Sequence, residues 1–284
     1  MENVKELEAL LNLEQIEVNI FRGQNFMSPW KRVFGGQVLA QSVNAAYRTV
    51  PEDRFLHSMH AYFILAGDIS MPIVYEVDVV RDGGSFTTRR VVAIQKGRPI
   101  FIMAASFQLK QDGFEHQITM PDVTKPENLI SDHEIIESIK ETFPKAYAAY
   151  NHDRPIEFRP VENYGPLLQK NSEPFQHIWF RAKGDVGPKL SKHHEILAYA
   201  SDYNLLTTAT LPHREVLNHE KSFLASLDHA MWIHQEFDIS QWHLYSLDSP
   251  SASNSRGFTR GNIFSQDGRL VASVVQEGLM RVVK

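Results

Sequence analysis

One order of predicted elements occurs twice along this chain, and this repetition constrains its fold more than any other feature. In the first half, the glycine pair Gly35-Gly36 precedes an apolar helical pattern from Val38 to Arg48, and four segments rich in aromatic and β-branched residues follow between Phe55 and Leu109. In the second half, a helical pattern from His193 to Thr208 precedes strand patterns between Phe223 and Met280. Glycine-containing turns separate the strands at short spacing, which predicts antiparallel hairpins rather than parallel crossovers. The chain is therefore predicted to be an α+β protein of two tandem units, each a helix followed by an antiparallel sheet.

Single residues also match between the two halves, which favours an internal duplication. Leu39-Ala40 in the first helical pattern matches Leu197-Ala198 in the second. The matches place three polar residues of one half opposite three of the other: Asn44 opposite Asp202, Ser58 opposite Ser226, and Gln108 opposite Gln276.

A polar, proline-containing stretch with a moderately helical pattern separates the two repeats. We therefore predict an N-terminal unit over residues 1–120, a connecting segment over 121–155, and a C-terminal unit over 156–284. The C-terminal unit contains the residues to which we assign catalysis below.

Composition excludes several classes of function. The formal net charge of −5 lacks the positive excess that binding to a nucleic-acid backbone usually needs. The absence of cysteine excludes a thiol nucleophile, a disulfide scaffold and every thiolate metal site. No apolar run approaches the ~18 residues of a membrane span, and the acidic first 15 residues do not have the pattern of a secretory signal. We expect a soluble, cytoplasmic protein.

Three polar residues of the second half could together activate a water molecule. Asp202 falls within the predicted helix beside apolar neighbours, so its carboxylate needs a partner, whereas Ser226 and Gln276 lie in apolar strand patterns. A carboxylate can accept a proton from water while a hydroxyl and an amide fix its orientation. The first-half set contains no carboxylate, which predicts one active centre per chain. Taken singly, each residue is more simply explained as an ordinary solvated or internally bonded polar group.

Other catalytic motifs are absent from the sequence. It contains no Gly-x-Ser-x-Gly elbow, Walker A loop, dinucleotide-binding glycine fingerprint or His-Glu-x-x-His helix. His229 and His234 lie five positions apart in a predicted strand, so they face opposite sides of the sheet and do not form a metal pair. We expect neither a metal nor a cofactor.

Several segments, in order along nearly the whole chain, resemble the acyl-CoA thioesterase II (TesB-like) family of double-hotdog enzymes. In the second half they are Leu197-Ala198-Tyr199-Ala200-Ser201-Asp202, Leu227 to His234, Ser249 to Arg260, and Val271 to Gly278. In the first half they are Val33 to Val38, His57 to His60, and Arg89 to Gln95.

The resemblance implies a double hotdog fold, in which each unit is a long helix wrapped by an antiparallel sheet, and a homo-oligomer, either a dimer or a tetramer. It also implies hydrolysis of fatty acyl-CoA by Asp202 as general base, with Ser226 and Gln276 orienting the attacking water. Family members usually have threonine where this sequence has Ser226, and serine lacks the methyl group that restricts the side-chain rotamer. The oxyanion is expected to be held either by a backbone N–H at a helix start or by the Gln276 amide.

Three arginines, Arg89, Arg256 and Arg260, are candidates for binding the phosphates of CoA. Two other functions stay open on the same scaffold, since a fold does not determine a function. One is a protein that binds acyl-CoA without cleaving it. The other is a dehydratase or hydratase that would use His57, His60 or His229.

Overall fold

The computed structural model of the chain describes residues 1–28, 32–162, 171–216 and 222–282. Its helices are α1 (Val4–Leu11), α2 (Gly35–Tyr47), α3 (Asp132–Ser138), α4 (Pro144–Tyr150), α5 (Leu190–Ser201) and α6 (Leu205–Thr210), with short 3-10 turns at Pro126–Asn128 and Leu211–His213. Its strands are β1 (Glu14–Glu17), β2 (Ile20–Gly23), β3 (Phe55–Phe63), β4 (Ile73–Asp82), β5 (Phe86–Gln95), β6 (Arg98–Gln108), β7 (Ile156–Pro160), β8 (Phe175–Ala182), β9 (Ser222–Ser226), β10 (Asp228–Ile233), β11 (His243–Ser253), β12 (Arg256–Ser265) and β13 (Leu270–Val282).

The strands form one sheet in the order β1-β2-β4-β5-β6-β3-β10-β13-β12-β11-β8-β7, and β9 pairs separately with β13. Every pairing between these strands is antiparallel. The two halves meet in the middle of the sheet, where β3 pairs with β10 from Asp228 opposite Tyr62 to Trp232 opposite Ser58. Each half therefore contributes its own meander, and the halves share one hydrogen-bonded seam.

The helices α2 and α5 pack against each other within a single hydrophobic core that spans both halves. Leu39, Val43, Ile196 and Leu197 are fully buried in this core. The helices approach closely at Gly36, where a Cβ atom would lie only 2.4 Å from the carbonyl oxygen of Tyr199. A glycine is therefore required at the start of α2 for this contact.

The structure confirms the predicted α+β architecture of two helix-and-sheet units, but several boundaries differ. The helix α1 ends at Leu11, and the short strands β1 and β2, which were not predicted from the sequence, follow it. The helix predicted from His193 to Thr208 is divided into α5 and α6 because Asn204 adopts a left-handed conformation with φ of 69°. Within the described residues, no helix has the length and apolarity that crossing a bilayer would need.

The residue-by-residue equivalence between the halves is wrong for the strands. Ser58 faces Ser106 across the sheet, whereas Ser226 faces Gly278 near the end of its own short strand. Gln108 is the last residue of β6, whereas Gln276 lies in the interior of β13. The repeat therefore preserves the order of elements, but these polar residues do not occupy equivalent positions.

Candidate active site

Asp202 lies at the junction of the two halves. It is the C-cap of α5, with φ −75° and ψ −19°, so the prediction that it lies inside a longer helix is wrong. The turn at Asn204 ends the helix, and the carboxylate is directed at the start of α2, where its Oδ2 accepts a hydrogen bond of 2.9 Å from the backbone N–H of Gly36. Helix starts carry unpaired N–H groups and a partial positive charge, which stabilise a carboxylate.

The Asp202 carboxylate is positioned to exchange a proton near neutral pH. Burial raises its pKa from the ordinary 3.8 to about 6, although the Gly36 N–H and the Gln276 side chain both act to lower it. The other carboxylate oxygen, Oδ1, is buried and accepts no hydrogen bond from any residue that the structure describes. A buried acceptor without a protein partner is costly for the fold, which is typical of groups that serve a ligand or a reaction.

Ser226 and Gln276 are brought together by the pairing of β9 with β13. Ser226 is the last residue of β9, and its Oγ accepts a hydrogen bond of 2.9 Å from Gln276 Nε2. Gln276 is 2% exposed, and its side chain also acts on the pKa of Asp202. The structure therefore places the three residues predicted from the sequence in one polar cluster.

A fourth residue, His229, belongs to this cluster and was considered from the sequence only as a metal ligand or a dehydratase base. Its Nδ1 lies 2.7 Å from Gln276 Oε1, and its Nε2 lies 3.1 Å from the hydroxyl of Ser201. The imidazole is fully buried, and burial lowers its pKa to about 4. A histidine on the apolar face of a strand needs buried hydrogen-bond partners, and that was the signal available in the sequence.

Comparison with known proteins identifies the family. The acyl-CoA thioesterase family model matches residues 145–279, and the model of the acyl-CoA thioesterase N-terminal domain matches residues 26–108. Acyl-coenzyme A thioesterase 8 of Homo sapiens is 42% identical, over 96% of this chain and 88% of its own length. Acyl-CoA thioesterase 2 of Haemophilus influenzae is 39% identical, over 96% of both chains. The chain belongs to the acyl-CoA thioesterase family.

The solved structures support the fold of this thioesterase-family chain. The acyl-CoA thioesterase II TesB2 of Mycobacterium marinum superposes with a TM-score of 0.80 at 40% identity, covering 97% of this chain and 98% of that one. A protein of unknown function with a hot dog fold from Alicyclobacillus acidocaldarius superposes with a TM-score of 0.75 at 16% identity, covering 98% and 99%, which supports the fold alone. The predicted family and the predicted double hotdog fold are both confirmed.

Arg89 is not available for the phosphates of CoA in this thioesterase-family chain. It is 1% exposed, and its guanidinium donates to the side chain and carbonyl of Thr49, to the carbonyls of Arg81 and Thr88, and to the carboxylate of Asp82. These bonds occupy all five N–H groups of an arginine. The sequence-based assignment of Arg89 to the substrate is corrected to a structural role at the β4–β5 hairpin.

The other two predicted arginines are partly or largely exposed and paired with carboxylates. Arg256 Nε lies 2.8 Å from Glu277 Oε1, and Arg260 binds both oxygens of Asp248. Exposed ion pairs of this kind contribute about 0–1 kcal/mol to stability. A phosphate of CoA could therefore compete with the carboxylate for the arginine. Their assignment to CoA stays a prediction.

The first-half residues Asn44, Ser58 and Gln108 do not form a second polar cluster. Asn44 lies inside α2 and interacts with the buried carboxyl group of Glu195, while Ser58 is buried on β3. Within the described part of the chain, no hydrogen bond joins any two of the three residues.

Proposed function

We propose that this chain hydrolyses fatty acyl-CoA thioesters and that Asp202, Ser226 and Gln276 carry out the reaction. The observation that carries this proposal is the Asp202 carboxylate, whose pKa of about 6 suits a general base and whose Oδ1 has no partner among the described residues. The printed names of the relatives, which are acyl-CoA thioesterases, support the same substrate class.

In the proposed reaction, a water molecule gives one proton to Asp202 while its oxygen attacks the thioester carbonyl carbon. Ser226 and Gln276 hold that water through their hydroxyl and amide groups. The carbon–sulfur bond then breaks, CoA leaves as a thiolate, and the proton on Asp202 passes to the sulfur. The products are the fatty acid and CoA, and no acyl-enzyme forms.

The oxyanion is proposed to bind a backbone N–H at the start of α2. Two kinds of donor were predicted, but one N–H of Gln276 is bound to Ser226 and the amide also acts on the Asp202 carboxylate. The first turn of a helix has several N–H groups without a partner inside the helix, and one of these in α2, that of Gly36, donates to Asp202. Removing a single oxyanion donor from a well-studied protease costs about 2.7–4 kcal/mol of transition-state stabilisation.

The alternative is a protein that binds acyl-CoA without cleaving it. The raised pKa of Asp202 argues against this alternative, because burying a carboxylate costs stability and a binding pocket for a thioester gains nothing from a general base. A dehydratase that uses His229 is disfavoured because both ring nitrogens of His229 are already engaged within the protein.

Two further properties are proposed on the family resemblance. We propose a homo-oligomer, either a dimer or a tetramer, and a cytoplasmic location. Light scattering coupled to size-exclusion chromatography measures the first, and a single species at the monomer mass would contradict it.

A thiol-release assay over a series of saturated acyl-CoA substrates tests the function. We expect equal amounts of free CoA and fatty acid, with Ser226→Ala reducing the rate and Asn44→Ala, a buried polar residue of the first half, serving as the control. Binding of acyl-CoA by the wild-type protein without thiol release would overturn the proposal in favour of the binding protein.

A further inference from the structure

We infer that His229 is a positioning residue, which holds the Gln276 amide in the orientation that directs its N–H groups toward Ser226 and Asp202. The inference rests on the proposed function, because it assigns the group that orients one of the proposed catalytic residues.

The two ends of the Gln276 amide face chemically different partners. Its Nε2 lies 2.9 Å from Ser226 Oγ and on the side of Asp202, whose carboxylate it stabilises. Its Oε1 lies 2.7 Å from His229 Nδ1. An ionised carboxylate only accepts hydrogen bonds, so the nitrogen end of the amide belongs on the Asp202 side. The oxygen end must then meet a donor, which requires that the proton of His229 be on Nδ1.

Ser201 allows this tautomer. A neutral imidazole with its proton on Nδ1 has an acceptor at Nε2. The hydroxyl of Ser201 lies 3.1 Å from this nitrogen and also 3.1 Å from the carbonyl oxygen of Ala198, so its single proton is within reach of either acceptor, and we infer that it is donated to His229. Ser201 immediately precedes Asp202, and its carbonyl oxygen accepts a hydrogen bond of 3.0 Å from the hydroxyl of Tyr245. The segment that carries the general base therefore also fixes the imidazole that orients the amide.

Hydrogen bonds then run in one direction through the site. With the proton of His229 on Nδ1, Ser201 donates to His229, His229 donates to Gln276, and Gln276 donates to Ser226. The proton of the Ser226 hydroxyl is left to face the substrate side. With the opposite tautomer of His229, the Gln276 amide would turn over and present its oxygen to the Asp202 carboxylate, which is electrostatically unfavourable.

Substitutions at His229 separate positioning from packing. In His229→Asn, an amide N–H can replace the Nδ1 donor, so we expect kcat within about threefold of wild type. In His229→Leu, the donor is lost and the Gln276 amide is free to turn, so we expect kcat to fall about 10- to 100-fold with KM nearly unchanged. His243→Leu is the matched control, because His243 is also a buried histidine of the second half, but its Nδ1 pairs with the carbonyl of Gln241. We expect this control to lower thermal stability and to leave kcat unchanged.

A double-mutant cycle with Gln276→Leu shows whether His229 acts through the amide. If it does, adding His229→Leu to Gln276→Leu changes kcat by less than about twofold. Additive losses in the double variant, or a loss in His229→Asn as large as in His229→Leu, would overturn the inference. Failure of the proposed function would look different, because Asp202→Asn and Gln276→Leu would then both keep wild-type thiol release.

A spectroscopic measurement on the folded wild-type protein does not depend on activity or on the stability of a variant. Selective ¹⁵N labelling of histidine distinguishes the two neutral tautomers by NMR, and His229→Asn assigns the resonance. We expect the Nδ1-protonated tautomer at pH 7. An Nε2-protonated or a charged His229 would refute the inference.

Discussion

Replacing Asp202 by asparagine is expected to stabilise the fold at neutral pH while it removes the proposed general base. The carboxylate is held in a site that raises its pKa to about 6, so the folded protein holds the carboxyl proton more tightly than the unfolded chain does. Ionised Asp202 therefore lowers the free energy of unfolding at pH 7. Asparagine has nearly the same shape, can still accept the hydrogen bond from Gly36, and carries no charge.

The size of this effect follows from the difference between the folded and unfolded pKa of Asp202. The gap between 3.8 and about 6 corresponds to about 3 kcal/mol, at 1.36 kcal/mol per pH unit. The sign is set by proton binding: between these two values the folded state binds more protons, so wild-type stability falls as the pH rises from 4 to 7. About half of the loss has occurred at pH 5. Asp202→Asn lacks this loss. Its free energy of unfolding should therefore exceed that of wild type by an amount that grows as the pH rises over the same interval.

Urea unfolding of both proteins at pH 4, 5 and 7.5 measures this difference. Other groups titrate equally in the two proteins, so the difference in the free energy of unfolding isolates residue 202. We expect the difference in the free energy of unfolding, Asp202→Asn minus wild type, to increase by about 2.5 kcal/mol between pH 4 and pH 7.5. A difference in the free energy of unfolding that stays constant or shrinks with rising pH would refute the claim that Asp202 is a buried carboxylate with a raised pKa.

Three further results are expected. The value of kcat/KM should level off above about pH 6, where Asp202 is ionised, and fall about tenfold per pH unit below it; a profile flat down to pH 4.5 would contradict the assignment of the base. Ser226→Ala should lower kcat about 10- to 100-fold, whereas Ser226→Thr, which restores the usual family residue, should stay within about threefold of wild type; equal rates in both variants would remove the hydroxyl from the mechanism. Asn44→Ala should leave thiol release within about twofold of wild type, because the first half contributes no second general base; loss of turnover in a folded Asn44→Ala protein would argue for two active centres.

The sequence predicts the order of elements well because that order depends on local signals. Alternating aromatic and β-branched residues define β3 to β6, and the turns between them contain glycine, so neither depends on distant contacts. The same signals do not identify the strands β1 and β2. All four residues of β1 are exposed, so its sequence carries no apolar alternation.

Three residues of the candidate site could be predicted from the sequence, but neither the fourth, His229, nor the geometry of the site could be. Asp202, Ser226 and Gln276 stand out as polar residues in apolar surroundings, and the structure does bring them together. The partner that holds the carboxylate, the Gly36 N–H, comes from the other half of the chain. A backbone N–H has no signature in the sequence, so this contact and the close packing of α2 on α5 required the structure.

Arg89 shows the opposite failure, because the sequence analysis named it as a candidate for the phosphates of CoA and the structure buries it. Its guanidinium is buried because backbone carbonyls of one hairpin and the carbonyl of Thr49 converge on it. Periodicity places Arg89 in a strand but does not distinguish a solvated arginine from one whose five donors are all satisfied.

The central claim is that Asp202 removes a proton from the attacking water, and thiol release under saturating acyl-CoA at pH 7.5 tests it most directly. Asp202→Asn, compared with wild type at equal concentrations of folded protein, should lose about 10²- to 10⁴-fold in kcat. An asparagine variant with wild-type turnover would contradict the account.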